Sequence, residues 1–163
     1  MMRKQKGFSL IELLLVVVII LVLATIAIPN LMRSRMSANE ASAVASMRTI
    51  VTSEIIYSTT YTVGFSTDLP SLSDGGTPSN CQPPSIPAAG SACLIDAHLA
   101  AGTKSGYAFT YAALGSGATK DSYTLNADPV TPGTSGQRYF YTDANHILRV
   151  NFAAPASPSD PPI

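Results

Sequence analysis

The sequence predicts an α+β fold: one long, bent N-terminal helix whose first half is a membrane span and whose second half packs against a small antiparallel four-stranded β-meander. Three observations predict it. Between residues 7 and 32 the only ionisable side chain is Glu12. From residue 32 to 57 there is neither Gly nor Pro to interrupt a helix. Every glycine except Gly7, and every proline except Pro29, falls in residues 62–163, where short strand-like runs alternate with turns. Charged residues make up 12% of the chain, about half the ~25% of soluble domains. A formal net charge of zero argues against nucleic acid as the main partner.

The apolar run comes first in the chain. A helix over residues 8–28 is about 31 Å long, enough to cross the ~30 Å hydrocarbon layer of a bilayer. Arg3, Lys4 and Lys6 precede it, and Arg33 and Arg35 follow it. A basic stretch ahead of an apolar run resembles a secretory signal, but such signals have apolar regions of about 7 to 15 residues and small residues at the far end. Here the far end reads Ala27-Ile28-Pro29-Asn30, so the span is expected to stay in the mature protein. The three leading cations favour a cytoplasmic N-terminus, with Arg33 and Arg35 as a weaker opposing signal.

The residues Lys6-Gly7-Phe8-Ser9-Leu10-Ile11-Glu12, followed by the unbroken apolar stretch and Pro29, resemble the N-terminus of type IV pilins and of the related pseudopilins of type II secretion. The resemblance covers about the first 60 residues closely and the remainder in general layout. It implies a pilin fold and a leader of residues 1–7, cut between Gly7 and Phe8 on the cytoplasmic side by the membrane-bound prepilin peptidase. The same enzyme would then methylate the new N-terminus at Phe8. Removing the leader takes away Arg3, Lys4 and Lys6 and leaves 7 basic against 10 acidic side chains, so the mature subunit is mildly acidic.

Glu12 carries two readings. A carboxylate inside an apolar span costs on the order of 2.5–3.5 kcal/mol on insertion scales and usually has a functional partner. Alternatively, Ser9-x-x-Glu12 fits a capping box, in which the glutamate returns to the backbone N–H of the cap. The capping box accounts for the spacing, and the functional reading accounts for the charge. By the resemblance, Glu12 of an incoming subunit neutralises the Phe8 amino group of a neighbour already in the filament, and low dielectric strengthens that pair.

Pro29 removes the N–H that would bond the Thr25 carbonyl, so a kink is expected there. Helix-compatible sequence continues beyond it. Val44, Met47, Val51 and Ile55 recur at helical spacing and are expected to form the face that holds the head. The whole helix, about residues 9–61, is roughly 80 Å long.

Residues 62–163 form the predicted head. Residues 62–87 read as loop, punctuated by Asp74-Gly75-Gly76 and Pro83-Pro84. Ser91 is expected to cap a short helix that ends at Gly102. Four strands are expected, at 107–114, 122–127, 138–141 and 146–152; in the first, Tyr107, Phe109 and Tyr111 alternate with Ala108 and Thr110. Residues 153–163, with Pro155, Pro158, Pro161 and Pro162, are expected to be an exposed tail.

Cys81 and Cys93 are the only cysteines. Two cannot make a four-ligand zinc site, and neither His98 nor His146 stands at finger spacing. With the head outside the cytoplasmic membrane, oxidising conditions permit a Cys81–Cys93 disulfide.

No catalytic constellation, phosphate loop or nucleophile motif is present in the sequence, and neither an enzyme nor a cofactor is expected. Major pseudopilins bind calcium in a head loop, but Asp121, Asp128 and Asp143 lack EF-hand spacing and suit turns without a metal. The head aromatics read as core and sheet faces, because too few cations accompany them for a nucleic-acid platform. The leading expectation is a structural subunit of a type IV pilus. Its partners would be copies of itself, the prepilin peptidase, the inner-membrane assembly machinery and, before assembly, the lipid bilayer. It would sit as a single-pass inner-membrane protein with a periplasmic head and later as a cell-surface filament. The alternatives are a type II secretion pseudopilin and a single-span envelope protein whose head binds a ligand as a monomer.

Overall fold

A computed structural model of the chain describes residues 7–117 and 119–163. Leader positions Arg3, Lys4 and Lys6 lie outside the described residues. Helix α1 runs over Leu10–Tyr61, 52 residues. Backbone proximity divides the chain into two compact units, one ending at Arg35 and the other spanning Met36–Ile163.

The first unit is helix. Pro29 lies inside α1 and the helical assignment continues through it. Its ring nitrogen has no hydrogen for the Thr25 carbonyl, while the Thr25 hydroxyl donates to the Val22 carbonyl at 2.7 Å.

In the second unit, α1 buries Glu40, Ala43, Ser46, Met47, Ile50, Ser53, Glu54 and Tyr57. Positions 40, 43, 47, 50, 54 and 57 alternate steps of three and four, which keeps them on one face. This corrects the expected stripe. Of Val44, Met47, Val51 and Ile55, only Met47 is fully buried, and Ile55 is 43% exposed. The contact face is rotated from the one that apolar spacing selects, because it includes two glutamates and a tyrosine whose polar atoms find partners in the head.

Five strands, β1 (Thr103–Lys104), β2 (Tyr107–Leu114), β3 (Ser122–Pro129), β4 (Tyr139–Asp143) and β5 (Arg149–Asn151), form an antiparallel sheet in sequential order. The meander is as expected in class, with β1 as an additional two-residue edge strand. Tyr111 pairs with Leu125, and Leu125 with Thr142. Alternation places Tyr107, Phe109, Tyr123, Leu125, Ala127 and Phe140 in the core with Met47, Ile50 and Tyr57 of α1. Fully burying such a side chain contributes about 1.5–3 kcal/mol. The Tyr107 hydroxyl donates to the Arg138 carbonyl at 2.9 Å. Its ring lies so close to Gly136 that a Cβ at that position would collide with it, which accounts for glycine there.

Between α1 and the sheet, the stretch read as loop contains α2 (Leu69–Leu72), capped by Asp68, which accepts from the Ser71 amide at 2.8 Å. Leu69 and Leu72 enter the core. The helix expected from Ser91 is much shorter: α3 is Ala97–Ala100. Its cap is Asp96, which accepts from the Leu99 amide at 2.9 Å. Residues 91–95 instead run alongside residues 71–73, with the Ala92, Cys93 and Leu94 amides donating to the Ser71, Ser73 and Leu72 carbonyls at 2.7–2.8 Å. Those bonds consume the Cys93 and Leu94 amides that a Ser91 cap would accept from, and the Asp96 side chain caps the helix instead. Cys81 and Cys93 are joined in a disulfide that ties the intervening loop to this paired segment.

The end of the chain is largely exposed, as expected, but it is not unpacked. Residues 153–163 do not project as a free tail. Ala156 is buried, and its carbonyl accepts from the Asn126 side chain at 2.9 Å. The Arg149 guanidinium donates to the Asp160 carbonyl at 2.7 Å. Tyr141, which pairs with Asn126 on the sheet, is 5% exposed. Proline stiffens the segment and limits its own pairing, but it does not prevent side chains of the sheet from holding its carbonyls.

Candidate functional site

The site residues singled out by sequence near the N-terminus are Gly7, Phe8 and Glu12. Gly7, Phe8 and Ser9 precede the helix in irregular backbone, and Phe8 is 78% exposed. The first helical bond runs from the Leu13 amide to the Ser9 carbonyl at 3.3 Å. The Ser9 amide donates to Glu12 Oε2 at 3.2 Å. This is one arm of a capping box, placed where the helix dipole also favours a carboxylate. Glu12 is thus held one turn into the helix and four residues from Phe8, with a neutral amide as its partner in the isolated chain.

Beyond Glu12 the helix is apolar on every side. Its most hydrophobic window is 0% buried, and Leu10, Leu14, Val18, Leu21 and Ile28 are each at least half exposed. A helix apolar all round is stable only when lipid or other helices surround it. By length and composition this one is long and apolar enough to cross a membrane.

Residues 2–28 match the family described as the prokaryotic N-terminal methylation motif. Two relatives, a type IV pilin and a type II secretion protein, are similar to the chain over part of its length. The chain is 45% identical over 56 residues, 34% of its length and 43% of the relative's, to the type IV wide pilus major component PilA4 of Thermus thermophilus. Over 45 residues, 28% of this chain and 29% of the relative, it is 44% identical to the type II secretion system core protein G of Dickeya chrysanthemi. The chain therefore matches less than half the length of either relative. No solved structure matches it.

Pro29 lies on the same helix as Glu12, 17 residues beyond it, whereas Phe8 lies just ahead of that helix. The Cys81–Cys93 bridge belongs to the second unit, and Asp121, Asp128 and Asp143 lie on or beside its strands. No group of three or more His, Cys, Asp or Glu is positioned to hold a metal ion among the described residues.

Two functional-looking carboxylates were not singled out by sequence. Glu40 accepts from the Gln137 amide at 2.8 Å and from Arg138 Nε at 2.6 Å. Burial alone would raise its pKa, but these donors outweigh burial and hold the carboxyl below the ordinary range. Glu54 is fully buried and accepts from the Ser66 amide at 3.0 Å and the Ser66 hydroxyl at 2.5 Å. Burial dominates there, and the Glu54 pKa is raised despite those bonds. Their helical spacing from Met47 is visible in the sequence. Their partners in 66 and 137–138 are not, because nothing local links them.

Proposed function

We propose that this chain is the precursor of a type IV pilus subunit. Prepilin peptidase cuts it between Gly7 and Phe8 and methylates Phe8, and the mature subunit polymerises through residues 8–28. Before assembly the subunit crosses the inner membrane once, with its N-terminus cytoplasmic and residues 62–163 in the periplasmic head; afterwards it lies in a surface filament. The observation that carries this reading is the apolar helix, exposed on all sides and headed by the methylation motif with one carboxylate at Glu12. A membrane span needs the apolar surface, and to it the Glu12 charge offers no more than a cap at the helix start. A polymer of such helices gains a fixed stagger, because Glu12 of one subunit can exchange the Ser9 amide for the charged Phe8 amine of another. The exchange replaces a neutral donor by an ammonium, adding a direct Coulomb attraction that low dielectric strengthens.

Replacing Glu12 by Ala tests this reading. The variant is expected to fractionate with the inner membrane at normal abundance and to yield no filaments, or far fewer, by electron microscopy. Normal piliation would contradict it.

The similarity to the type II secretion core protein supports a second reading, a pseudopilin. Deletion that abolishes secretion of exported enzymes, with no loss of surface fibres, would favour that reading over the pilus.

A further inference from the structure

The proline-rich end of the chain is absorbed by neither the helix nor the core. Its contacts are concentrated on one strand. The Val150 amide donates to the Pro161 carbonyl at 3.0 Å, and the Ile163 amide to the Leu148 carbonyl at 3.0 Å. Arg149 and Pro162 form an antiparallel bridge between these two bonds. Residues 161–163 therefore occupy the edge of β5 that faces away from β4. Side chains fasten the segment in place: Asp160 Oδ1 accepts from Asn151 at 3.0 Å, while Oδ2 accepts from the Ser157 amide at 2.7 Å and the Ser157 hydroxyl at 2.9 Å.

The outer side of this added segment carries almost no donors. The Asp160 amide is used by the Ser157 carbonyl at 3.2 Å, and Pro161 and Pro162 have no N–H. Pro162 sits at the bridge position whose backbone groups point away from β5 in an antiparallel ladder. A further strand arriving at this edge would find carbonyls without the alternating amides that a ladder requires. At the opposite end of the sheet the edge strand β1 is two residues long and ends in Lys104, paired with Asp96 at 2.9 Å. Short strands, lysine and proline at edges are the means by which sheets avoid pairing with other chains.

We infer that residues 156–163 are an intramolecular edge seal: residues 161–163 occupy the free edge of β5 and present proline outward, with residues 156–160 fastening them, so that the head offers no strand edge there to a second copy. The need follows from the proposed function, since subunits packed side by side by their helices bring many heads to high local concentration. Strand pairing between heads would then compete with assembly through α1. The chemistry of the seal does not depend on that reading.

The test uses the chain in detergent, with micelles in excess over protein, and compares it with the same chain ending at Phe152. Mass by light scattering is followed over a wide concentration range beside the thermal melt of each. The intact chain is expected to stay single-copy. The shortened chain is expected to keep a cooperative melt while its mass at least doubles with concentration, and a synthetic peptide of residues 153–163 should return it to single-copy. Both chains share the N-terminal segment, so failure of the pilus reading leaves the comparison intact. A folded shortened chain that stays single-copy, or association that the peptide does not reverse, overturns the seal. If the shortened chain loses its melt, Asp160→Ala replaces it, since that change unfastens the segment and leaves β5 whole; association is again expected, and an unchanged single-copy mass overturns the proposal.

Discussion

Glu54 on α1 accepts a hydrogen bond from the Ser66 hydroxyl at 2.5 Å, with both residues fully out of solvent. The Tyr111 hydroxyl lies 3.2 Å from the Ser66 hydroxyl and donates to the Ser66 carbonyl at 3.0 Å. A helix, the loop after it and the second strand thus meet at one carboxylate that has no cation beside it among the described residues. Some 14 residues earlier on the same helix face, Glu40 does have one, Arg138. The two glutamates clasp the head to the helix by different electrostatics, and they predict opposite responses to pH.

Because burial raises the Glu54 pKa above its ordinary value of 4.5, the folded head prefers Glu54 protonated. Its contribution to stability is complete below about pH 4.5 and is lost as pH rises through the raised value, each pH unit between the two weakening the head by about 1.4 kcal/mol. Glu40, held low, contributes above its ordinary value and loses that contribution as pH falls through the lowered one. Urea unfolding as a function of pH should show stability declining above pH 4.5, and the decline should flatten in Glu54→Gln. An equal slope in the variant would show that Glu54 is not its source.

Glu40→Ala should destabilise the head by about 1–3 kcal/mol, because the Gln137 and Arg138 amides lose their acceptor. Arg138→Ala should cost less, since its side chain is 35% exposed and a partly exposed pair is worth at most about 1 kcal/mol. A double-mutant cycle by denaturant unfolding separates the two contributions.

The rotated contact face predicts an asymmetry between two apolar residues only eight positions apart. Met47→Ala should cost about 2–5 kcal/mol. Ile55→Ala, at a largely exposed position, should stay within about 0.5 kcal/mol. Equal losses in thermal or chemical unfolding would restore the stripe that apolar spacing selects.

Reducing the Cys81–Cys93 bridge, or replacing both cysteines by serine, should cost about 3 kcal/mol for a loop of this length. Hydrogen exchange should rise first at the Ala92, Cys93 and Leu94 amides, which bond residues 71–73.

Much of this was legible in the sequence because it is local. The apolar run, the absence of helix breakers before Tyr57, and the period-2 aromatics of β2 each follow from near neighbours. What was not legible depends on distant partners. Glu40 and Glu54 break an apolar stripe unless residues 137–138 and 66 are known to satisfy them. Ser91 looks like a cap until residues 71–73 claim the amides that follow it. The prolines near the C-terminus suggest an unpacked tail, yet Asn126 and Arg149 supply donors to its carbonyls. At the N-terminal site the motif Gly7-Phe8 and Glu12 is readable directly, whereas Glu12's use of the Ser9 amide in the isolated chain is a matter of geometry.

The proposed pilus function makes the apolar helix a polymerisation element that is released by cleavage after Gly7. Intact-mass spectrometry of filaments sheared from cells that express the chain tests it most directly. The expected subunit begins at Phe8, carries one added methyl group on its N-terminus and retains the Cys81–Cys93 bond. Filaments that lack the chain, or that contain it with residues 1–7 still attached, would contradict it.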